Sequence, residues 1–264
     1  MNGRRMSSLE KMLSLLDVFT TEQPIWSSET LIKHLGTPSS TCYRYLKVLH
    51  RAGYLSRVAS QSYVLGPRII ELDRVSRESD PVYLAGSPVG QRLTMETGQS
   101  SLLCILFSDS VMCVQQTRGH DVPAGLFTRG QRRPLVAGAS AKSILAYLPM
   151  HQLRILYARH SGAIADVGLG SNWEEFKTKL KQIRHLGYSM TAGDYNAGIV
   201  SIAVPLFNRE GEVLGSLALV ASMTIISPDK FEKFAPSIVL AGQEVSAQIA
   251  SNESIAALPA RALG

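Results

Sequence analysis

The chain has 264 residues, 45% hydrophobic and 18% charged, with 27 Lys and Arg against 21 Asp and Glu for a net charge of +6. That length suits two domains, and that composition supplies packed cores, which excludes a disordered chain. No apolar run reaches the roughly 18 residues of a membrane span, residues 1–10 hold no apolar signal core, and three cysteines without CxxC spacing exclude a disulfide framework or a zinc site; the expected compartment is the cytoplasm.

The placement of the charge matters more than its size. Between Glu29 and Glu71 there is no acidic residue, while Lys33, Arg44, Lys47, Arg51, Arg57 and Arg68 all fall there. Such a stretch attracts phosphates, or it is a solvated basic face, and local structure has to decide.

In chain order, Leu9, Met12, Leu13, Leu16 and Phe19 recur at helical spacing and predict a first helix over 8–19, capped by Ser7 or Ser8. Residues 20–25, with Pro24, read as a loop. Ser27 caps a second helix over 28–35, with Leu31, Ile32 and Leu35 inward and Glu29 suiting its N-terminal end. Gly36-Thr37-Pro38 then ends one helix and starts another: Gly36 as a left-handed terminator, Thr37 as N-cap, Pro38 as first helical residue. The third helix, 38–52, turns Cys42, Tyr45, Leu46 and Leu49 inward. Ser40, Arg44, Lys47 and Arg51, spaced four, three and four apart, line its other side. Segments 54–58 and 62–65 pair as a hairpin with its tip at 59–61. Three helices and a hairpin within 70 residues make a winged helix-turn-helix, whose helix after the tight turn enters the major groove of DNA.

A connector helix follows over 67–79, with Ile69, Ile70, Leu72 and Val75 on one side, and Asp80-Pro81 breaks it. Beyond it, helices are predicted at 88–97, 141–147, 151–159, 173–186 and 228–250. Strands are predicted at 101–107, 111–116, 125–128, 188–191, 200–207 and 213–221, with turns at 108–110 and 208–211. Consecutive hairpins interleaved with helices predict an α+β domain on an antiparallel sheet. The resulting division is a winged helix-turn-helix at 1–66, a linker helix at 67–80, a larger domain at 81–250 and a flexible tail at 251–264.

The run Ser40-Thr41-Cys42-Tyr43-Arg44-Tyr45-Leu46-Lys47-Val48-Leu49, then Gly53-Tyr54-Leu55 and Tyr63-Val64-Leu65-Gly66, resembles the DNA-binding head of the IclR family of bacterial regulators. Residues 134–146 are similar to that family's small-residue loop leading into a Gly-Lys helix, with Ala141 where glycine is usual. Residues 193–205 are similar to its segment near the effector pocket, with Asp194 where glutamate is usual. The resemblance covers roughly residues 7–250. It implies a GAF-like effector-binding domain, dimers formed through the head and often dimers of dimers, a palindromic or repeated operator, and a small organic acid or related metabolite as effector. It further implies a regulator, more often a repressor; no cofactor is expected, and the cysteine and histidine spacing predicts no metal site.

For double-stranded operator DNA the candidate contacts are Pro38, Ser39, Ser40, Thr41, Tyr43, Arg44 and Lys47 on the third helix, with Arg57 and Gln61 on the wing. Ser39 and Ser40 can instead satisfy N–H groups of the first turn. Arg4 and Arg5 form a minor-groove arm or an ordinary basic tail. For the effector, the resemblance points to Ala139, Ser140, Thr191, Asp194, Ser201, Ala218 and Val220. Backbone N–H groups where the small-residue loop opens a helix offer a place for a carboxylate; equally, small residues there permit close backbone packing. Cys104 and Cys113 read as small hydrophobes rather than a redox or metal switch. The alternative function, an enzyme fused to a DNA-binding head, lacks GxSxG, HExxH and GxxxxGK patterns. A non-specific DNA binder leaves the larger domain without purpose.

Overall fold

A computed structural model describes residues 6–59, 61–123 and 125–251. The chain divides into two compact units, 1–78 and 79–264. Arg4, Arg5 and tail residues 252–264 lie outside the described residues.

In the first unit, α1 (Ser8–Ser14) opens with a capping box: Glu10 N donates to Ser7 Oγ at 3.2 Å and Ser7 N to Glu10 Oε2 at 2.6 Å. The helix predicted to reach residue 19 stops at Ser14. There the bonds tighten to i→i−3, Leu16 N to Leu13 O at 2.9 Å and Asp17 N to Ser14 O at 3.2 Å. Leu15 and Val18 are buried and Met12, Leu16 and Phe19 of the predicted set pack against the same core, whereas Leu9 and Leu13 of that set are 67% and 57% exposed.

A short strand β1 (Trp26–Ser27), which alternation over two residues cannot reveal, pairs Trp26 with Tyr63. Ser27 caps α2 (Ser28–Leu35) by accepting from Thr30 N at 3.2 Å, and Gly36 ends it with φ +60°. The next helix, α3 (Ser39–Arg51), starts one residue later than predicted. Pro38 occupies the cap, its carbonyl accepting from Thr41 N and Cys42 N, and the Thr37 hydroxyl, expected to cap, is buried without doing so. The buried residues of α3 are Cys42, Tyr45, Leu46 and Leu49, the set its periodicity predicts. They pack with Leu15, Leu31, Leu55 and Tyr63 into one core.

Strands β2 (Leu55–Val58) and β3 (Ser62–Leu65) form the wing, and the sheet runs β1-β3-β2. Gly66 follows the wing where a Cβ would stand 2.1 Å from the Gly53 carbonyl oxygen, so the close approach requires glycine. Helix α4 (Arg68–Ser79) buries no residue; Ile70 is 73% exposed, and ion pairs Arg68–Glu71 and Arg74–Glu78 lie along its surface.

The second unit begins at α5 (Pro81–Thr97). Asp80-Pro81, predicted as a break, is also a start: Asp80 accepts from Tyr83 N at 2.9 Å, and Pro81 occupies the first turn, where a missing N–H costs nothing. Pro88, predicted as a helix start, lies inside α5. Strands β4 (Ser100–Phe107), β5 (Ser110–Thr117) and β6 (Arg132–Pro134) follow. Residues 125–128, predicted as a strand, are loop; the edge strand is β6, paired to β5 with Val111 opposite Arg133.

Helices α6 (Ala139–Leu145), α7 (Met150–Asp166) and α8 (Trp173–Leu186) come next, α7 departing from helical geometry at His160. Strands β7 (Ser189–Ala192), β8 (Ile199–Phe207) and β9 (Val213–Ser222) complete an antiparallel sheet of order β6-β5-β4-β9-β8-β7. The final helical stretch, predicted as one helix, is split into α9 (Pro228–Phe231), a 3-10 turn (Glu232–Phe234) and α10 (Ala235–Ser251).

The sheet is covered on both faces, and strand alternation sorts the core. Leu103, Ile105, Val204, Leu217 and Leu219 pack against α5 and α10, with Val89, Leu93, Ile238 and Val245 among the partners. Leu102, Cys104, Val111, Ala218 and Val220 face the other way, in one core with Ile144, Leu145 and Leu153 from α6 and α7 and Phe176 from α8. Among the described residues no helix is long and apolar enough to cross a membrane, and no group of three or more His, Cys, Asp or Glu is arranged to hold a metal.

Candidate functional site

The first candidate surface is the outer side of α3. With four residues inward, the remaining positions project to solvent: Ser39, Ser40, Tyr43, Arg44, Lys47 and Arg51 are all exposed, and Thr41 is half-buried. Arg44, Lys47, Val48 and Arg51 line one shallow concavity along the helix. Arg44 lies over Tyr45, its guanidinium carbon 5.9 Å from the ring centroid, and no acidic residue occupies the first turn. Long cationic side chains on one helix face, with hydroxyls at the helix start, can contact phosphates and base edges.

On the wing, Arg57 is exposed opposite Tyr63. Gln61 adopts φ +56°; its carbonyl accepts from Ser28 N at 3.1 Å and its Oε1 from Ser28 Oγ at 3.5 Å. Gln61 therefore ties the wing to the start of α2, a structural duty that sequence reasoning missed.

The second candidate site is an open cleft with a cavity of about 50 Å³ between α6, the end of β7, the 192–198 loop and the 125–133 segment. Of the predicted residues, Ala139, Ser140, Thr191, Asp194, Ser201 and Val220 line it. Ala218 does not: it is fully buried on the same side of β9 as Val220, opposite Leu102 and Ala203, within the core beside the cleft. The small-residue loop reaches the sheet through Ser189 Oγ, which donates to Ala139 O at 2.6 Å, so α6 begins against β7. Ser201 Oγ donates to Leu219 O at 3.1 Å. Leu102, Val111, Leu126, Ile199 and Val220 make much of the wall apolar.

Asp194 does not stand alone in this cleft. Lys142 Nζ lies 2.5 Å from its Oδ2 and also donates to Val167 O at 2.9 Å. The lysine–aspartate contact is an ion pair by distance although not aligned as a hydrogen bond. The side chains are only 10% and 16% exposed, so the pair is close to buried.

Sequence reasoning missed Arg133, Phe127, Tyr195 and Asn196, all of which line the cleft. The Arg133 guanidinium sits between two rings, 4.4 Å from the Phe127 centroid and 4.2 Å from that of Tyr195. Arg133 Nη2 and Asn196 Nδ2 both donate to Gly125 O, at 3.1 and 2.7 Å, so one carbonyl ties the 125–133 segment to the 192–198 loop. Burial pulls Arg133 below the usual guanidinium range. The one signal in the sequence is the Arg132-Arg133 pair before Pro134, and choosing between its members needs the β6 register.

Cys104 and Cys113 face each other across β4 and β5 as buried free thiols. The facing Cys104 sulfur, and then burial, push the Cys113 thiol up.

A winged helix-turn-helix head with an exposed cationic helix face, joined to an α+β domain that holds an open cleft, is the architecture of a DNA-binding transcriptional regulator. Two family models match: the IclR helix-turn-helix domain over residues 8–59, and the bacterial transcriptional regulator IclR C-terminal domain over 78–247. The chain belongs to the IclR family of bacterial transcriptional regulators. It is 24% identical to the HTH-type transcriptional regulator KipR of Bacillus subtilis over 90% of this chain and 95% of that protein. Among solved structures, an IclR transcriptional regulator from Alicyclobacillus acidocaldarius superposes with a TM-score of 0.76 at 23% identity, covering 92% of this chain and 99% of that one. An IclR homologue from Microbacterium hydrocarbonoxydans, solved with 4-hydroxybenzoate, gives 0.75 at 21% identity over the same shares. KipR and the Escherichia coli relatives XynR and KdgR are all HTH-type transcriptional regulators.

Proposed function

We propose that the protein is a ligand-responsive repressor, acting in the cytoplasm, that binds an operator as a homodimer or a dimer of dimers and is switched by a small organic acid in the cleft of its second unit. The observation that carries this reading is the α3 surface: Ser39, Ser40, Tyr43, Arg44 and Lys47 project from a helix whose opposite side is fully packed. In this reading Arg44 reads a base edge or clamps a phosphate, Pro38 and Thr41 set the helix start against the backbone, and Arg57 and Gln61 carry the wing to the flanking groove. The exposed apolar side chains Leu9, Leu13 and Ile70 supply surface for a second copy of the chain. Ala139, Ser140, Thr191, Asp194, Ser201 and Val220 form the effector site, with Ala218 shaping its wall from behind. The 4-hydroxybenzoate bound by the Microbacterium homologue supports a carboxylate ligand in a cleft of this kind. Ligand binding then shifts the population between arrangements of two heads that match or miss their half-sites.

The test is a salt titration by fluorescence anisotropy of the full chain on a duplex selected from random sequence, against a scrambled duplex. The expected result is an affinity ratio of at least about 10³ at physiological salt, with both affinities falling steeply as salt rises. Equal affinity for the two duplexes would overturn a sequence-specific regulator.

A further inference from the structure

Among the described residues lining the cleft, Arg133 is paired with no carboxylate. Asp194 is neutralised by Lys142 at 2.5 Å. The ionisable groups beside Arg133 are Tyr195, Cys104 and Cys113, none of them a carboxylate. Aromatic rings cover Arg133 at 4.4 and 4.2 Å, so an anion has access to the edge of the guanidinium plane, where its N–H groups lie. One of those groups is committed to Gly125 O at 3.1 Å, which fixes the plane and leaves other donors to a ligand. Opposite Arg133 in the sheet register stands Val111, and Leu102 and Val220 continue an apolar floor.

We propose that Arg133 is the specificity-determining anchor of the cleft, taking the single carboxylate of a ligand whose remaining body is hydrocarbon. A planar fork already held by two rings and one carbonyl loses little freedom on binding a carboxylate. A second carboxylate on the ligand would be placed against apolar wall or the paired Asp194, which disfavours dicarboxylates and sugar acids. A cationic ligand meets Arg133 as a like charge. Where the Proposed function says organic acid, this assignment, which rests on that reading of the cleft, fixes the number of charges and the residue that counts them.

The experiment is calorimetric titration of the full chain with benzoate, hexanoate, benzamide and succinate, using wild type, Arg133→Met and Arg133→Lys. Urea unfolding followed by Trp173 fluorescence in a Trp26→Phe background, measured alongside, shows that the second unit of each variant is folded. Benzoate or hexanoate should bind wild type, with benzamide and succinate weaker by at least about tenfold; Arg133→Met should lose about ten- to a hundredfold for the acid, and Arg133→Lys should recover part of it. Acid binding that is unchanged in Arg133→Met, or equal binding of benzoate and benzamide, would overturn the anchor while leaving the cleft as the effector site. If none of the four probes binds wild type, the anchor falls. If, in addition, a ligand found by metabolite screening binds unaffected by substitution of Thr191 and Ser201, the cleft falls as the effector site.

Discussion

Replacing Lys142 by Met tests how the cleft is held together. Lys142 Nζ neutralises Asp194 at 2.5 Å and fastens α6 to Val167 O at 2.9 Å, with both charged side chains near 10–16% exposure. Methionine keeps the stem volume and removes the charge, stranding a carboxylate where water is scarce. Breaking a buried pair from one side costs about 3–5 kcal/mol. Because Asp194 lines the open cleft and retains some access to water, the cost should fall near the lower end, about 3 kcal/mol. The chain has two tryptophans, Trp26 in the first unit and Trp173 in the second. In a Trp26→Phe background, Trp173 fluorescence through a urea titration reports the second unit alone. Asp194→Leu added to Lys142→Met should restore much of the loss, because it removes the stranded charge. A loss below about 1 kcal/mol, or a double variant no more stable than Lys142→Met, would refute the buried pair as the element that fixes this wall.

Other outcomes follow from single geometric facts. Gly66→Ala should unfold or severely destabilise the head, since its Cβ would fall 2.1 Å from Gly53 O, a backbone atom with no room to move; thermal melts followed by Trp26 check it. Gly36→Ala meets no neighbour within 4 Å but keeps φ +60°, so its cost should be the milder one of about 1–2 kcal/mol. Ser27→Ala removes the cap on Thr30 N and should cost about 1 kcal/mol in the same assay. Cys42, Cys104 and Cys113 are all buried free thiols, out of reach of a reagent; a thiol reagent at pH 8 should modify none rapidly in the folded chain and all three in urea.

The head was the more legible half. The inward set of α3 follows from its period alone, and Ser27 and Gly36 bound α2 through local chemistry that tertiary contacts do not disturb. The failures have specific causes. In α1, helical spacing continues to Phe19 although the helix ends at Ser14 and i→i−3 bonds take over, and apolar spacing alone does not mark that end. Asp80-Pro81 carries the signals of a stop and of a start together, and the sequence favours neither. Residues 125–128 have the composition of a strand, but the pairing partner of β5 is the short segment 132–134.

The cleft divides in the same way. The small-residue loop at 137–141 and the β7–β8 positions were readable because their residue types and order are distinctive. Lys142 and Arg133 were not, because their roles depend on three-dimensional pairing: Lys142 reaches Asp194 across 52 positions of chain, and Arg133 faces the cleft only through the register of an edge strand. Ala218 shows the converse limit, since a strand residue on the correct face can sit too deep to touch the cavity.

The most direct test of the account is the Arg44→Ala variant on the selected and scrambled duplexes at one fixed salt concentration. Arg44 is exposed and its ring contact with Tyr45 is peripheral, so the head should melt as wild type does. The account predicts that affinity for the selected duplex falls by about 1–3 kcal/mol per half-site; the specificity ratio collapses if Arg44 reads a base edge and holds if it clamps a phosphate. Unchanged affinity for both duplexes in a folded variant would contradict it and would place the recognition surface elsewhere than on α3.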